Sequence, residues 1–356
     1  MREATPDGIG RRPAGARGQP ASSGTAPVAA FRKPVVAGGI VDGVAELTTQ
    51  PYAPADAPAV AELLNAVSRH AGAHPGLEPG AVQAYLATGV PDLATDSRVL
   101  RAPDGTVVAV AVVRLPPGDG RSQVDLAGAV HPDWRGRGLG RELLGWQLAR
   151  AREIRHAIAP DAAWSAHTGA ELGDHASVRL YQRFGMTPVR YWFSMVADTA
   201  AAPAGPPPDG LRMEPYAARH EPVLHRAHME AFADHWEFHR RTLAEWAPLT
   251  VRSELFRPDL SRLAFDRDEL AGYLLAYRDA APDRLYIGQV GVRPGWRRRG
   301  LAGALLAEVL AAAAGAGLTR TGLGVDADSP TGAVGVYQRV GFTVESNAVT
   351  YATPLG

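Results

Sequence analysis

Two stretches of this 356-residue chain place arginines and glycines at a spacing suited to gripping an anion. They are VHPDWRGRGLGRELL (residues 130–144) and VRPGWRRRGLAGALL (residues 292–306), aligned at a constant offset of 162 from Arg135 to Arg297. Gly138 and Gly300 permit backbone conformations and close approach that a Cβ would block. An apolar-periodic run follows each glycine and predicts a helix, whose first amides and positive dipole end would face one point. Arg135 and Arg137, or Arg297, Arg298 and Arg299, add charge-assisted donors. The resulting pocket suits a diphosphate, with Arg135, Gly136, Arg137, Gly138, Leu139 and Gly140 in the first copy and Arg297, Arg298, Arg299, Gly300, Leu301 and Ala302 in the second. A tight turn carrying solvated arginines is the plainer alternative. The Gly-Lys-Ser/Thr ending of a Walker loop is missing, and neither half opens with the βαβ glycine fingerprint of dinucleotide folds.

A second pair of matching segments lies downstream. YQRFGM (181–186) corresponds to YQRVGF (337–342), 46 residues beyond Arg135 in one case and 40 beyond Arg297 in the other. A six-residue difference in a surface connection costs little loop entropy. The elements positioning these motifs read alike in both halves. A short strand (45–50; 211–215) leads to helices near 56–70 and 79–88, or 219–233 and 242–256. Strands follow near 97–102, 106–115 and 122–130, or 261–266, 270–278 and 284–292. Asp104-Gly105 is a hairpin signal, with Asp268-Glu269 in the matching place. Then come a long helix (138–156; 300–315), a strand (162–168; 319–326), a short helix (174–184; 330–340) and two closing strands. That order predicts an α/β fold of two tandem domains, each a mixed, mostly antiparallel sheet flanked by helices.

Composition bounds the rest. Length suits two domains and a tail. Residues 1–43, rich in Gly, Pro and Arg, predict a disordered tail; the domains are expected at 44–198 and 211–356. Residues 199–210 form a Pro-rich linker, in which Pro206-Pro207-Pro208 resists both helix and central strand. A zero formal net charge supplies no whole-chain field toward nucleic acid or an anionic membrane. No apolar run reaches the roughly 18 residues of a membrane span. The chain has no cysteine, which excludes disulfides and a cysteinyl thioester intermediate, and suits a reducing cytoplasm.

The order strand, Arg-x-x-Gly-x-Gly/Ala, helix, strand, short helix and Tyr-x-x-x-Gly-Phe/Met resembles the GCN5-related N-acetyltransferase superfamily, over about 150 residues of each half. The tandem arrangement, with DADSPTG (326–332) before Tyr337, is similar to the mycothiol synthase-like two-domain acetyltransferases. The resemblance implies acetyl-CoA as acyl donor, its diphosphate on the loop amides. It also implies a splayed strand whose backbone holds the pantetheine arm, at Ala129 and Val130 and at Val290 and Val292. Tyr181 and Tyr337 fall where family members place a tyrosine that protonates the leaving thiolate; the plain alternative is a core tyrosine. A fourth-strand carboxylate is the family's frequent base. The first half offers Asp125 and the second half none, leaving Glu237, Glu230 and His235 as its candidates.

Five histidines crowd residues 220–239, and Trp236, Phe238 and Trp246 lie among or just beyond them. Two spacings suit ligand pairs, but no further ligand motif accompanies them, so no metal is expected. The aromatics suit an acceptor-pocket wall or simple core. The resemblance implies transfer of an acetyl group to a primary amine of a small molecule, the lack of cysteine favours direct transfer, and charge and hydropathy give no expectation of nucleic acid or membrane partners. The closer family match around Tyr337 favours the C-terminal half for the chemistry. An acyl-CoA sensor with one or both halves inactive is the competing class.

Overall fold

Residues Val107–Arg114 are almost wholly aliphatic and buried, as expected of a strand covered on both faces. This strand and its counterpart Glu269–Arg278 anchor two matching halves of one sheet. The computed structural model describes residues 47–72, 76–87, 89–116, 122–201, 208, 210–235, 238–329 and 331–356. The expected tail, residues 1–43, and Pro206-Pro207 lie outside them.

The first half runs β1 (Thr48–Gln50), α1 (Ala57–His70), α2 (Pro79–Ala87), α3 (Leu93–Asp96), β2 (Ser97–Arg101), β3 (Val107–Arg114), β4 (Gln123–Val130), α4 (Leu139–Ile158), β5 (Trp164–Glu171), α5 (His175–Arg183) and β6 (Thr187–Asp198). The second repeats it with β7 (Leu211–Pro215), α6 (Glu221–Ala231), α7 (Leu243–Trp246), β8 (Arg262–Asp266), β9 (Glu269–Arg278), β10 (Arg284–Val292), α8 (Leu301–Gly315), β11 (Arg320–Asp326), α9 (Ala333–Arg339) and β12 (Thr343–Leu355). The two-domain, mostly antiparallel α/β architecture expected from the sequence is present.

Two elements depart from expectation. The helix predicted over 242–256 is confined to α7 and a 3-10 turn at Ala247–Leu249, because Pro248 lacks the amide an α-helix needs. Each half ends in one long strand instead of two. Those two strands are also exchanged. The sheet order is β1-β2-β3-β4-β5-β12-β6-β11-β10-β9-β8-β7. Strand β12 pairs antiparallel with β5 of the first half, from Ala348 opposite Glu171 to Leu355 opposite Trp164. Strand β6 pairs with β11 of the second half, from Arg320 opposite Asp198 to Asp326 opposite Trp192. The two lent strands pair with each other at the centre.

The cores follow the exchange. Helix α4 buries Leu144, Leu148, Ala151 and Ile154 against β3–β5 and against Val349, Tyr351 and Leu355 of β12. Helix α8 buries Leu301, Leu305, Leu306, Val309 and Leu310 against β9–β11 and against Met195 and Ala197 of β6. A fully buried side chain of this size contributes roughly 1.5–3 kcal/mol. Each half therefore depends on its partner's last strand for several kcal/mol of its core.

Candidate active site

Strand β4 leads into the first arginine-glycine loop, where Gly136 and Gly138 adopt left-handed φ values of 79° and 85°. Gly138 is the N-cap of α4, so the first amides of a 20-residue helix open onto this turn. Arg137 lies over the Trp134 ring at 4.4 Å. Arg135 makes a long contact of 3.9 Å with Asp174, the N-cap of α5. Burial alone would raise the Asp174 carboxyl, but its hydrogen bonds from Ser177 and the charge of Arg135 hold it below the usual carboxylate range.

Beside this loop the sheet opens. Strands β4 and β5 are paired in parallel only from Gln123 opposite Ser165 to Asp125 opposite His167. Beyond that rung β4 stays with β3 as far as Val130, and its edge toward β5 is unpaired by strand hydrogen bonds. A cavity of about 920 Å³ follows the gap, lined by Gly128, Ala129, Val130, the loop from Arg135 to Arg141, Thr168 and Tyr181. Its size suits an extended ligand. A diphosphate at the helix N-terminus with an amide-bearing arm along Ala129 and Val130 fits these residues.

A second cavity of about 390 Å³ adjoins it, sharing Leu126, Gly128, Thr168, Gly169 and Tyr181. Tyr85, Arg114, Gln123, Asp125, Ala127, His167 and Thr350 complete it. Arg114 stacks on Tyr85 at 3.9 Å. Gln123 Nε2 donates to Asp125 Oδ1 at 3.0 Å, and Ser165 Oγ lies 2.7 Å from His167 Nε2. Burial pushes the His167 pKa down, outweighing the opposing pull of Asp125. Tyr181 stands where the cavities meet, its hydroxyl donating to the Gly169 carbonyl at 3.2 Å. Burial raises its pKa and keeps it a protonated donor near neutral pH. Thr350 comes from β12, so the C-terminal strand forms part of this wall.

The second half keeps the loop but differs around it. Gly300 caps α8 with φ 79°. Arg298 takes φ 64° where the first loop has Gly136, a strain of about 1–2 kcal/mol for a non-glycine residue. Arg297, expected to face the diphosphate, is instead spent on the protein. It donates to Asp234 at 2.6 Å, to the Ala231 carbonyl at 2.9 Å and to the Val292 carbonyl at 3.2 Å. Strand β10 leaves β11 after Ile287 opposite Leu323, with a bulge between Ile287 and Gln289. Val290 and Val292 thus follow the opening, as Ala129 and Val130 do. Tyr337 is 9% exposed and packs in the α8 core, its ring 6.0 Å from Phe342. Burial, then Tyr286, pushes its pKa up to about 12.

Through the pairing with β3 and β9, the β10 bulge places Tyr286 and Gly322 where the first half has Asp125 and His167, while Ile287 and Leu323 turn into the α8 core. The second half therefore has neither carboxylate nor imidazole at that rung. Glu237 and Trp236 lie outside the described residues. Glu230 pairs with Arg293 at 2.7 Å. Of the five histidines, His220 contacts Glu214, His225 the Arg241 carbonyl, and His228 the Tyr273 hydroxyl at 2.6 Å. Among the described residues no three His, Cys, Asp or Glu side chains converge as metal ligands. Trp246 and Phe238 pack in the core beneath α6. Sequence reasoning missed His167, Thr350, Tyr85 and Arg114. Only the first left a signal, a histidine on a strand where the matching position of the other repeat is Gly322.

Comparison with known proteins agrees with this architecture in both halves. Residues 222–342 match the Acetyltransferase (GNAT) family and residues 96–187 an Acetyltransferase (GNAT) domain. The chain is 32% identical over 259 residues to the mycothiol acetyltransferase of Clavibacter michiganensis, covering 71% of this chain and 78% of that one. It is 30% identical over 313 residues to that of Salinispora tropica, covering 83% and 94%. A GCN5-related N-acetyltransferase of Sphaerobacter thermophilus superposes with a TM-score of 0.71 at 29% identity, over 87% of this chain and 96% of that one. A tandem GNAT protein from the clavulanic acid biosynthesis pathway shares the fold, with a TM-score of 0.64 at 18% identity over 87% and 99% of the two chains. No helix among the described residues is long and apolar enough to cross a membrane.

Proposed function

The chain belongs to the GNAT acetyltransferase family and is an acetyl-CoA-dependent N-acetyltransferase; on that premise we propose that its chemistry runs in the N-terminal half, on a small amine related to mycothiol. We place its domains at 44–198 and 211–356, joined by the 199–210 linker, and the enzyme in the cytoplasm beside its acyl donor. The observation carrying this reading is the meeting of the two cavities at Tyr181, one long and amide-rimmed, the other small and polar.

Acetyl-CoA supplies the activated thioester. The amides beginning at Leu139 and Gly140, with Arg135 and Arg137, hold the diphosphate, and the open edge at Ala129 and Val130 aligns the arm. The acceptor amine sits in the small cavity beside Asp125. Its nitrogen bonds to the acyl carbon as the carbon–sulfur bond breaks, and the Tyr181 hydroxyl gives its proton to the departing sulfur. No cysteine is available to carry the acyl group, which favours direct transfer within a ternary complex.

A second reading keeps the chemistry in the C-terminal half, with Tyr337 as acid and Glu237 as base. The strained Arg298 favours it, because such strain concentrates at functional loops. Against it stand Tyr286 and Gly322, which leave that half a cofactor cradle without the carboxylate and imidazole of Asp125 and His167.

Steady-state release of free CoA with a panel of small amines, including mycothiol-type amines, tests the function. Turnover with a mycothiol-related amine and little with unrelated ones is expected. Acetyl-CoA binding without turnover of any amine would turn the reading toward a sensor.

A further inference from the structure

Resting on the N-terminal site proposed above, we infer that His167, with Asp125 as its electrostatic partner, is the group that takes the proton from the acceptor amine. The two residues face each other on the last paired rung before β4 and β5 diverge. Both line the small cavity, and that rung opens directly onto the wall shared with Tyr181. A proton acceptor and the proton donor Tyr181 thus line one cavity, as direct transfer requires.

The surroundings prepare the ring for this task. His167 is 7% exposed, and Ser165 Oγ fixes its orientation through Nε2 at 2.7 Å. Asp125 is itself oriented by Gln123. Among the described residues, the other charged or titratable groups facing the cavity are Arg114 on β3, Tyr85 on α2 and Tyr181 on α5, and β12 contributes the neutral Thr350. Desolvation keeps the imidazole neutral near pH 7, and the Asp125 carboxylate stabilises the imidazolium once it forms.

The step balances. The amine lone pair forms the new carbon–nitrogen bond, and the thioester carbon–sulfur bond breaks with its electrons on sulfur. Tyr181 gives a proton to that sulfur, while His167 receives the proton leaving nitrogen. Solvent then returns the imidazolium to imidazole and restores the phenol. The positions of Asp125 and His167 hold Tyr286 and Gly322 in the other half, so this acid–base pair belongs to one half alone.

The test is the pH dependence of kcat/KM for wild type, His167→Gln, Asp125→Asn and Tyr181→Phe, with acetyl-CoA affinity measured in parallel by calorimetry. His167→Gln should lower turnover on the order of 10²-fold, leave acetyl-CoA affinity unchanged and abolish the acid limb. Asp125→Asn should retain the limb but move it to lower pH, since the carboxylate raises the ring's pKa. In His167→Ala, added imidazole should restore activity, which loss of folding would not allow. If Tyr181→Phe slows the enzyme while His167→Gln keeps rate and limb, His167 is overturned and the site stands. If neither change slows it, both the inference and the N-terminal site are overturned.

Discussion

Arg190 of β6 donates through Nε to Asp326 of β11 at 2.9 Å, with the carboxylate only 2% exposed. The pair rivets a strand from one half onto the sheet of the other. Removing one partner of a buried pair leaves an uncompensated charge, which costs about 3–5 kcal/mol. Asp326→Ala is expected to lower the free energy of unfolding by that amount. A double replacement of Arg190 and Asp326 by leucine should recover most of it. Two-state urea unfolding of the single and double variants checks this, and a loss under 1 kcal/mol in the single variant would contradict it.

The two tyrosines separate the halves. Tyr181 stands at the junction of two cavities, whereas Tyr337 is packed against Phe342. Tyr181→Phe should reduce kcat about 10²-fold with little change in acetyl-CoA affinity. Tyr337→Phe should leave kcat within about threefold. The reverse pattern would transfer the chemistry to the C-terminal half.

The loop arginines should also differ. Among the described residues the ion-pair contact of Arg135 is the 3.9 Å one with Asp174, so Arg135→Glu should abolish one acetyl-CoA site and preserve the fold. Arg297 is held by Asp234 and two carbonyls. Arg297→Glu sets two carboxylates against each other and should lower thermal stability first. Calorimetric stoichiometry with thermal unfolding tells these apart; equal stability loss in both variants would refute the distinction.

His228, buried among Phe232, Phe238 and Trp246, has its pKa pushed down to about 3 by burial, then by Arg241 and neighbouring histidines. The unfolded chain takes up that proton below about pH 6.5 while the folded chain refuses it until about 3. Stability should therefore fall as pH drops through this window, by about 1.4 kcal/mol per unit from this residue. His228→Gln should flatten the pH profile of urea midpoints between pH 7 and 4; an unchanged slope would assign the acid sensitivity elsewhere.

Local chemistry was legible from the residues. Gly138 and Gly300 announced special backbone conformations at helix starts, and the repeated motifs aligned them in matching folds. The strand exchange was not legible. Strands β6 and β12 carry no mark of which neighbour they will choose, because a strand's pairing partner is fixed by distant packing, here Met195 on α8 and Tyr351 on α4. His167 was overlooked for a related reason. It belongs to no motif, and its meaning comes from the β4–β5 register that sets Asp125 opposite it.

The exchanged strands also set an order of events during synthesis. Helix α4 and strands β1–β5 emerge early, but their sheet lacks the neighbour that ends at Leu355. With ribosomal elongation at about 5–20 residues per second, that edge waits on the order of ten seconds or more for the chain's last segment. During this interval the edge of β5 is an open template for other chains. The nascent first half is thus a natural client for chaperones, and gene fragments ending near the linker should aggregate unless the missing strand is supplied as a separate peptide.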